Sequence, residues 1–156
     1  MMEEKEKAWK TVSSKYLFRR PWLTVRCEDM LLPNGNHIPE YYILEYPDWV
    51  NTIAITKDGK FVFVRQYRPG LGRTSYELCA GVCDKEDASP LVSAQRELWE
   101  ETGYGKGNWQ EYMVISANPS THTNLTHCFL ATDVEPIDHQ HLEDTEDLSV
   151  HLLTFE

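Results

Sequence analysis

No run of apolar residues in this chain reaches the roughly 20 positions that a membrane-spanning helix needs. The opening stretch, MMEEKEKAWK, has neither the basic head nor the apolar segment of a secretory signal, so a cytoplasmic protein is expected. Basic residues are scarce: 15 Lys and Arg stand against 25 Asp and Glu, a formal net charge of −10. A lasting complex with a nucleic-acid backbone requires a basic stripe. The richest one here, KYLFRRPWLTVR at 15–26, is broken by apolar residues at strand-like spacing, which argues against nucleic acid as a partner. Cysteines number four, and Cys27, Cys79, Cys83 and Cys128 sit in apolar surroundings without paired metal-ligand spacing. Buried reduced thiols are expected, not a disulfide framework or a zinc site. Internal repeats and low-complexity linkers are missing too. At 156 residues the chain is long enough for one compact core and too short for two ordinary domains. A subdomain joint is expected at YPDW (46–49), dividing a strand-rich extension, 1–46, from the main domain, 47–156.

What is present is a series of short β-branched and aromatic runs separated by turn residues. WLTVRCEDMLL (22–32) and EYYILEY (40–46) flank PNGN and predict a first hairpin. VNTIAIT (50–56) and KFVFVRQY (60–67) flank KDG and predict a second, with both strands central. Further strands are expected at 74–81, 111–117, 126–134 and 148–155. PIDHQHLEDTED (136–147), with its acidic residues and two histidines, reads as a solvated surface loop without chemistry.

One long helix is well signalled, from about Ser89 to Thr102. Ser89 suits the N-cap and Pro90 the first helical position, while Gly103 can supply the left-handed residue that ends the helix. At 100° per residue Leu91, Val92, Ala94, Leu98, Trp99 and Thr102 occupy one arc, and Glu97, Glu100 and Glu101 the adjoining one. A glutamate-rich helix face is ordinarily just solvated. Here like charges at i, i+3 and i+4 repel, by about 4 kcal/mol for carboxylates ~4 Å apart at an effective dielectric near 20. Something cationic should balance them. Arg96 is one candidate, and a hard divalent ion such as Mg²⁺ or Mn²⁺ is better suited to oxygen ligands converging from one face.

RELWEETGY (96–104) matches the Arg-Glu-aliphatic-x-Glu-Glu-x-Gly-aliphatic half of the Nudix box, and Gly81 after YELCA supplies the glycine that opens it. The run FVRQYRPGLGRTSYELCAG (63–81) resembles the approach to that box in the ADP-ribose pyrophosphatase branch of the family. The likeness covers residues 41–134. It implies an α/β (α+β) fold, the Nudix α/β/α sandwich with a mixed central sheet, here carrying an N-terminal β-hairpin extension. The implied activity is hydrolysis of the diphosphate in ADP-ribose or a related nucleoside diphosphate sugar, with Mg²⁺ or Mn²⁺ polarising the diphosphate and acidifying the attacking water. The resemblance makes Glu97 and Glu101 primary metal ligands, Glu100 a second-metal ligand or base, Ala80 a ligand through its carbonyl, and Arg96 a structural partner of a box carboxylate. It places Arg68 and Glu77 at the substrate, although a structural salt bridge explains them equally well. Trp22 and Trp49 are candidates to stack on adenine, with core anchoring as the plain alternative. A homodimer built partly from the N-terminal segment is also implied. Two other functions stay open: a Nudix hydrolase for another nucleoside diphosphate derivative, and a non-catalytic sensor of nucleotide sugars.

The sequence departs from the family pattern in four places. Fourteen residues, not thirteen, separate Gly81 from Arg96, so the upstream box carboxylate falls on Asp87 or is lost at Ala88. Cys79 stands where proline is usual, which reads as neutral packing. The chain ends at LLTFE, where relatives usually continue into helices. The loop expected to carry a catalytic glutamate, SANPSTHTNLTH (116–127), holds no carboxylate. Glu100 is the favoured base, His122 the runner-up, and His127 or unaided metal activation of water the remaining options.

Overall fold

The computed structural model describes residues 7–155. They form two compact units, one comprising the chain through Tyr46 with Ser116–Asn124, the other Pro47–Ile115 with the chain from Leu125. The first crossing between them falls inside YPDW.

The first unit is an antiparallel sheet in the order β1 (Lys10–Arg20), β2 (Leu23–Leu31), β3 (His37–Glu45). Strands β2 and β3 are the expected hairpin. Its turn is closed by the Leu32 N–H donating to the Asn36 carbonyl (2.9 Å), with Gly35 at φ 86°, a conformation open to glycine at little cost. Strand β1 adds to the expected set, pairing with β2 from Lys10 opposite Leu31 to Arg20 opposite Leu23. All its residues are exposed, so beyond the strand-like spacing at its end, 15–20, it has no buried face to mark it as a strand. Segment 116–124 is stitched to β3: the Leu44 N–H donates to the Thr121 carbonyl (2.8 Å) and the Thr123 N–H to the Leu44 carbonyl (3.1 Å).

The second unit contains β4 (Trp49–Thr56), β5 (Phe61–Arg68), β6 (Arg73–Glu77), β7 (Cys79–Val82), α1 (Pro90–Thr102), β8 (Tyr104–Gly105), β9 (Asn108–Ile115), β10 (Thr126–Pro136) and β11 (Leu148–Leu153). Its sheet runs β11-β5-β4-β10-β8, with β6 on β5, β7 on β4 and β9 on β10. The pair β4–β10 is parallel and the others antiparallel, so the sheet is mixed as expected. Strand β4 alternates half-buried and buried positions along its length, the pattern of a central strand. Ala54, Val62, Cys79, Leu98, Ala131 and Val134 form the main core, so helix α1 buries Leu98 among sheet residues. Among the described residues α1 is the one α-helix, and no helix is long and apolar enough to cross a membrane.

The expected strand 74–81 is two strands. The chain leaves β5 after Glu77 and joins β4 at Cys79, so Leu78 is the point of partner exchange. That switch carries Ala80 and Gly81 alongside β4, and β7 packs on α1. The helix begins and ends as its residues dictate. Ser89 Oγ accepts from the Val92 N–H, Pro90 opens the first turn, and Gly103 at φ 74° donates its N–H to the Trp99 carbonyl. The buried arc is Ser93, Ala94, Leu98, Glu101 and Thr102, whereas Val92 is exposed. The apolar-arc reading was therefore off at both edges, because the helix buries a carboxylate that no hydrophobicity pattern would place inside.

Candidate active site

Glu97 and Glu101 project from consecutive turns of α1, and neither is solvated. The Glu97 side chain is 14% exposed and the Glu101 residue 5%. Gly81 is why Glu97 fits: a Cβ at that position would overlap the Cδ and both oxygens of the Glu97 carboxylate. The glycine is needed for space, not for an unusual backbone angle. Glu101 lies against the same strand, beside Cys79 and Ala80, and its Oε2 has no hydrogen-bond partner.

Arg96 organises the rest. Its Nε and one terminal nitrogen both donate to Asp87 Oδ2 (3.1 and 3.0 Å), and the same terminal nitrogen donates to the Val82 carbonyl (3.1 Å) and lies 3.2 Å from Asp84. The other terminal nitrogen donates to Glu97 (3.0 Å) and Glu100 (2.9 Å). Burial opposes the guanidinium charge, but bonds from Asp87 and Glu100 and the field of Glu97 outweigh it and hold its pKa above the ordinary value. A planar fork serving carboxylates on a loop and a helix is unlike a lone surface pair. Counting forward was therefore the better reading of the irregular spacing: Asp87 brings a carboxylate to Arg96 despite the extra residue.

Burial lifts the Glu101 carboxyl to about 7; the Glu97 charge adds to the shift, and the Cys79 thiol and Ala80 backbone oppose it. Glu97 is raised as well, first by burial, against the pull of Arg96. An unpartnered, buried carboxylate oxygen beside a second, half-buried carboxylate and the β7 backbone is an unmet hydrogen-bonding need that a hard cation satisfies. The donor set therefore fits a divalent ion. The helix glutamates are not drawn into a closed triad: among the described residues, the three metal-capable side chains whose ligand atoms all lie within 4.8 Å of one another are Asp138, His139 and His141. Mutual repulsion and the hold of Arg96 on Glu97 and Glu100 account for the difference.

The raised Glu101 pKa has a consequence for stability. A carboxyl whose folded pKa exceeds its unfolded value near 4.5 stabilises the fold below that pH and loses the contribution as pH rises through about 7. Ionising it costs up to about 3 kcal/mol. Glu101→Gln is permanently uncharged and escapes this cost. With metal chelated, the variant is expected to melt with the wild type at pH 4 and above it at pH 8. Thermal melts at the two pH values check this, and equal melting at pH 8 would rule out the buried-charge account.

Arg68 and Glu77 meet each other. Arg68 donates from Nε to both Glu77 oxygens (3.0 and 2.9 Å) and from a terminal nitrogen to Oε2 (2.6 Å), pairing the ends of adjacent strands β5 and β6. The salt-bridge reading thus holds as geometry, and Arg68 remains 45% exposed on its side chain, open to an anion. Trp49 begins β4, its N–H donating to the Leu125 carbonyl (2.9 Å). Trp22, in the β1–β2 turn of the first unit, is 79% exposed and anchors no core. His122 also belongs to the first unit, its ring 5.2 Å from that of Tyr46. His127 is on strand β10 and not in a loop; it contacts Glu111 (2.6 Å) and Asp48 (3.6 Å). The four cysteines are free, with Cys79 and Cys128 buried and the other two half-buried.

The segment after β10 is more than a solvated loop. His141 N–H donates to the Glu100 carbonyl (2.8 Å), Gln140 Nε2 to the Glu101 carbonyl (2.7 Å) and Ile137 N–H to the Gly103 carbonyl (2.9 Å). These carbonyls are the unpaired acceptors at the end of α1, so the loop caps the helix that carries the glutamates. The Glu146 charge is also felt at Glu101. Composition shows only an acidic, polar stretch, because two of the three bonds come from backbone N–H groups, which leave no side-chain signature, and the third comes from a glutamine that reads as one more polar residue.

Comparison with known proteins agrees with the box. Residues 9–44 match the nucleoside diphosphate sugar hydrolase N-terminal domain, and residues 46–156 the NUDIX domain. The chain is 31% identical over 148 residues to an ADP-ribose pyrophosphatase of Bacillus subtilis (strain 168), covering 94% of this chain and 79% of that protein. It is 33% identical over 122 residues to a methanol dehydrogenase activator of Bacillus methanolicus, covering 78% and 65%. With an ADP-ribose pyrophosphatase of Mycobacterium tuberculosis (strain ATCC 25618 / H37Rv) it shares 28% identity over 132 residues, covering 85% and 63%. The crystal structure of an ADP compounds hydrolase superposes with a TM-score of 0.82 at 22% identity, over 95% of this chain and 79% of that one, and shows the fold. The glycine that makes room for a half-buried glutamate and the arginine that gathers box carboxylates lie within the NUDIX match, and the chain belongs to the Nudix family of pyrophosphohydrolases.

Proposed function

We propose that the chain hydrolyses the diphosphate of ADP-ribose or a related nucleoside diphosphate sugar to AMP and a sugar phosphate, with Mg²⁺ or Mn²⁺ as cofactor. The observation that carries the metal assignment is the buried Glu101 Oε2 without a hydrogen-bond partner, next to Glu97 seated on Gly81. The substrate class rests on similarity to proteins named ADP-ribose pyrophosphatase and on the match of the N-terminal segment to a nucleoside diphosphate sugar hydrolase domain.

Glu97, Glu101 and the Ala80 carbonyl would hold the ion, with Glu100 beside them. The ion supplies charge neutralisation of the diphosphate and makes a water easier to deprotonate. Arg96 positions Glu97 and Glu100 from behind, tied to Asp87. Water oxygen joins one phosphorus, the bridging P–O bond breaks, and the bridging oxygen leaves on the other phosphate. Glu100 receives the water's proton. Arg68, held by Glu77, offers a cation to a phosphate, and Trp49 offers an aromatic face to the base. The N-terminal extension, residues 1–46, is proposed to build a homodimer: β1 exposes the apolar residues Val12, Leu17 and Phe18, and a three-stranded sheet gains stability when such apolar surface is covered. A cytoplasmic location is proposed on the reduced cysteines.

A panel of diphosphate substrates with Mg²⁺ or Mn²⁺ and product identification tests the reading. Turnover of ADP-ribose to AMP is expected, abolished by excess chelator. Turnover confined to nucleoside triphosphates would overturn the substrate class, and full activity in chelator the metal requirement. The base is tested by pH–rate profiles at saturating metal. Glu100→Gln is expected to remove the acidic limb and lower turnover about 10²–10⁴-fold. Loss of that limb in His122→Ala or Glu146→Gln, with Glu100→Gln retaining it, would move the base to that residue.

A further inference from the structure

Asp138, His139 and His141 bring three metal-capable atoms within 4.8 Å of one another, apart from the box glutamates. One carboxylate serves both imidazoles: Asp138 Oδ1 lies 2.7 Å from His139 Nδ1, and Oδ2 lies 3.0 Å from His141 Nε2. The two rings are 4.3 Å apart between centroids. The cluster is held by the fold and is not a floating loop. The Asp138 N–H donates to the Gly103 carbonyl (3.2 Å) and the His141 N–H to the Glu100 carbonyl (2.8 Å). Gln140 between the histidines donates to the Glu101 carbonyl (2.7 Å), and the Trp99 ring lies 4.3 Å from the His141 ring at 32°. The backbone of the segment and one of its two imidazoles are therefore set before any ligand arrives, which lowers the ordering cost of binding.

We propose that Asp138, His139 and His141 form a second metal site, specific for borderline divalent ions of the Zn²⁺ and Co²⁺ class, at the C-terminal end of α1. Two imidazoles and one carboxylate suit such ions, whereas Mg²⁺ prefers an all-oxygen set. Three protein ligands leave at least one position for water. Without the ion His139 Nδ1 and His141 Nε2 donate to Asp138; to bind it each ring would move that proton to its far nitrogen, Nε2 in His139 and Nδ1 in His141, and turn the freed lone pair on the ion. The end of a helix concentrates partial negative charge on its last carbonyls, which favours a cation there. Occupation would fasten the 138–141 segment to the helix that carries the glutamates.

The probe is Co²⁺, titrated into the full chain with Mg²⁺ saturating. Visible d–d absorption reports the ligand field, and paramagnetic quenching reports proximity to Trp99. One Co²⁺ per chain is expected, with quenching that disappears in Trp99→Phe. His139→Ala and His141→Ala should each weaken Co²⁺ binding at least tenfold while Glu97→Gln leaves it unchanged. His139 is exposed, so His139→Ala tests the ligand without disturbing the Trp99 contact, and metal-free melts confirm that both variants fold. Unchanged Co²⁺ affinity in His139→Ala and His141→Ala, loss of binding in Glu97→Gln, or a thiolate charge-transfer band placing the ion on a cysteine would each overturn the site.

Discussion

Glu97→Gln is expected to lower turnover by at least about 100-fold while leaving the metal-free melting temperature unchanged or raised. Glu97 shares Arg96 with Asp84, Asp87 and Glu100, so four carboxylates surround one guanidinium and Glu101 adds a fifth nearby. Replacing one carboxylate by an amide removes repulsion, and the amide oxygen can still accept from Arg96. Nothing in the apo fold needs the charge. The proposed ion would, because a neutral amide is a weaker ligand for a hard cation and buried Glu101 would then be left without its partner ligand. Thermal melts with and without Mg²⁺ separate the two effects: the wild type should gain stability from the ion and the variant little or none. A variant that loses stability without metal and keeps its activity would make Glu97 a structural residue, and the helix face an ordinary solvated one.

Gly81→Ala should cost nearly as much activity with little change in stability. Its added methyl group would meet the far end of the Glu97 side chain, not backbone, and that carboxylate can swing away. The fold therefore tolerates the substitution to within about 1 kcal/mol. The site does not, since the position from which the Glu97 carboxylate acts on Glu101 is the one the methyl group takes. A fall in turnover of about 100-fold, with matching loss of Mg²⁺-induced stabilisation, is expected. Combining Gly81→Ala with Glu97→Gln gives the sharper measurement. Because both act on one carboxylate, the double variant should be no less active than Glu97→Gln alone, a strong departure from additivity. Additive losses would mean that Gly81 serves the site by another route, such as backbone geometry.

Much of this was legible in the residues. The helix from Ser89 to Gly103 was marked at both ends, since a hydroxyl cap, a proline and a left-handed glycine are local chemistry that needs no tertiary context. The strands followed from β-branched runs, and the family, with the mixed sheet that the resemblance implies, from a motif whose spacing is nearly intact. What the residues could not reveal was set by partners distant in the chain. Strand β1 exists through its pairing with β2, with no buried face to betray it. The break at Leu78 comes from an exchange of neighbours, β5 for β4, that brings Gly81 to Glu97. Irregular spacing left the upstream carboxylate undecided until the loop before α1 placed Asp87 on Arg96. The acidic stretch after β10 reads as solvent-facing by composition, yet its backbone closes the end of α1 and its histidines meet over one aspartate. Sequence thus determined the local elements and the chemical family, through caps, alternation and motif. The tertiary structure decided which carboxylates are buried, what holds them and what lies beside them, because burial and hydrogen-bond partnership are properties of the folded arrangement and not of any single stretch of chain.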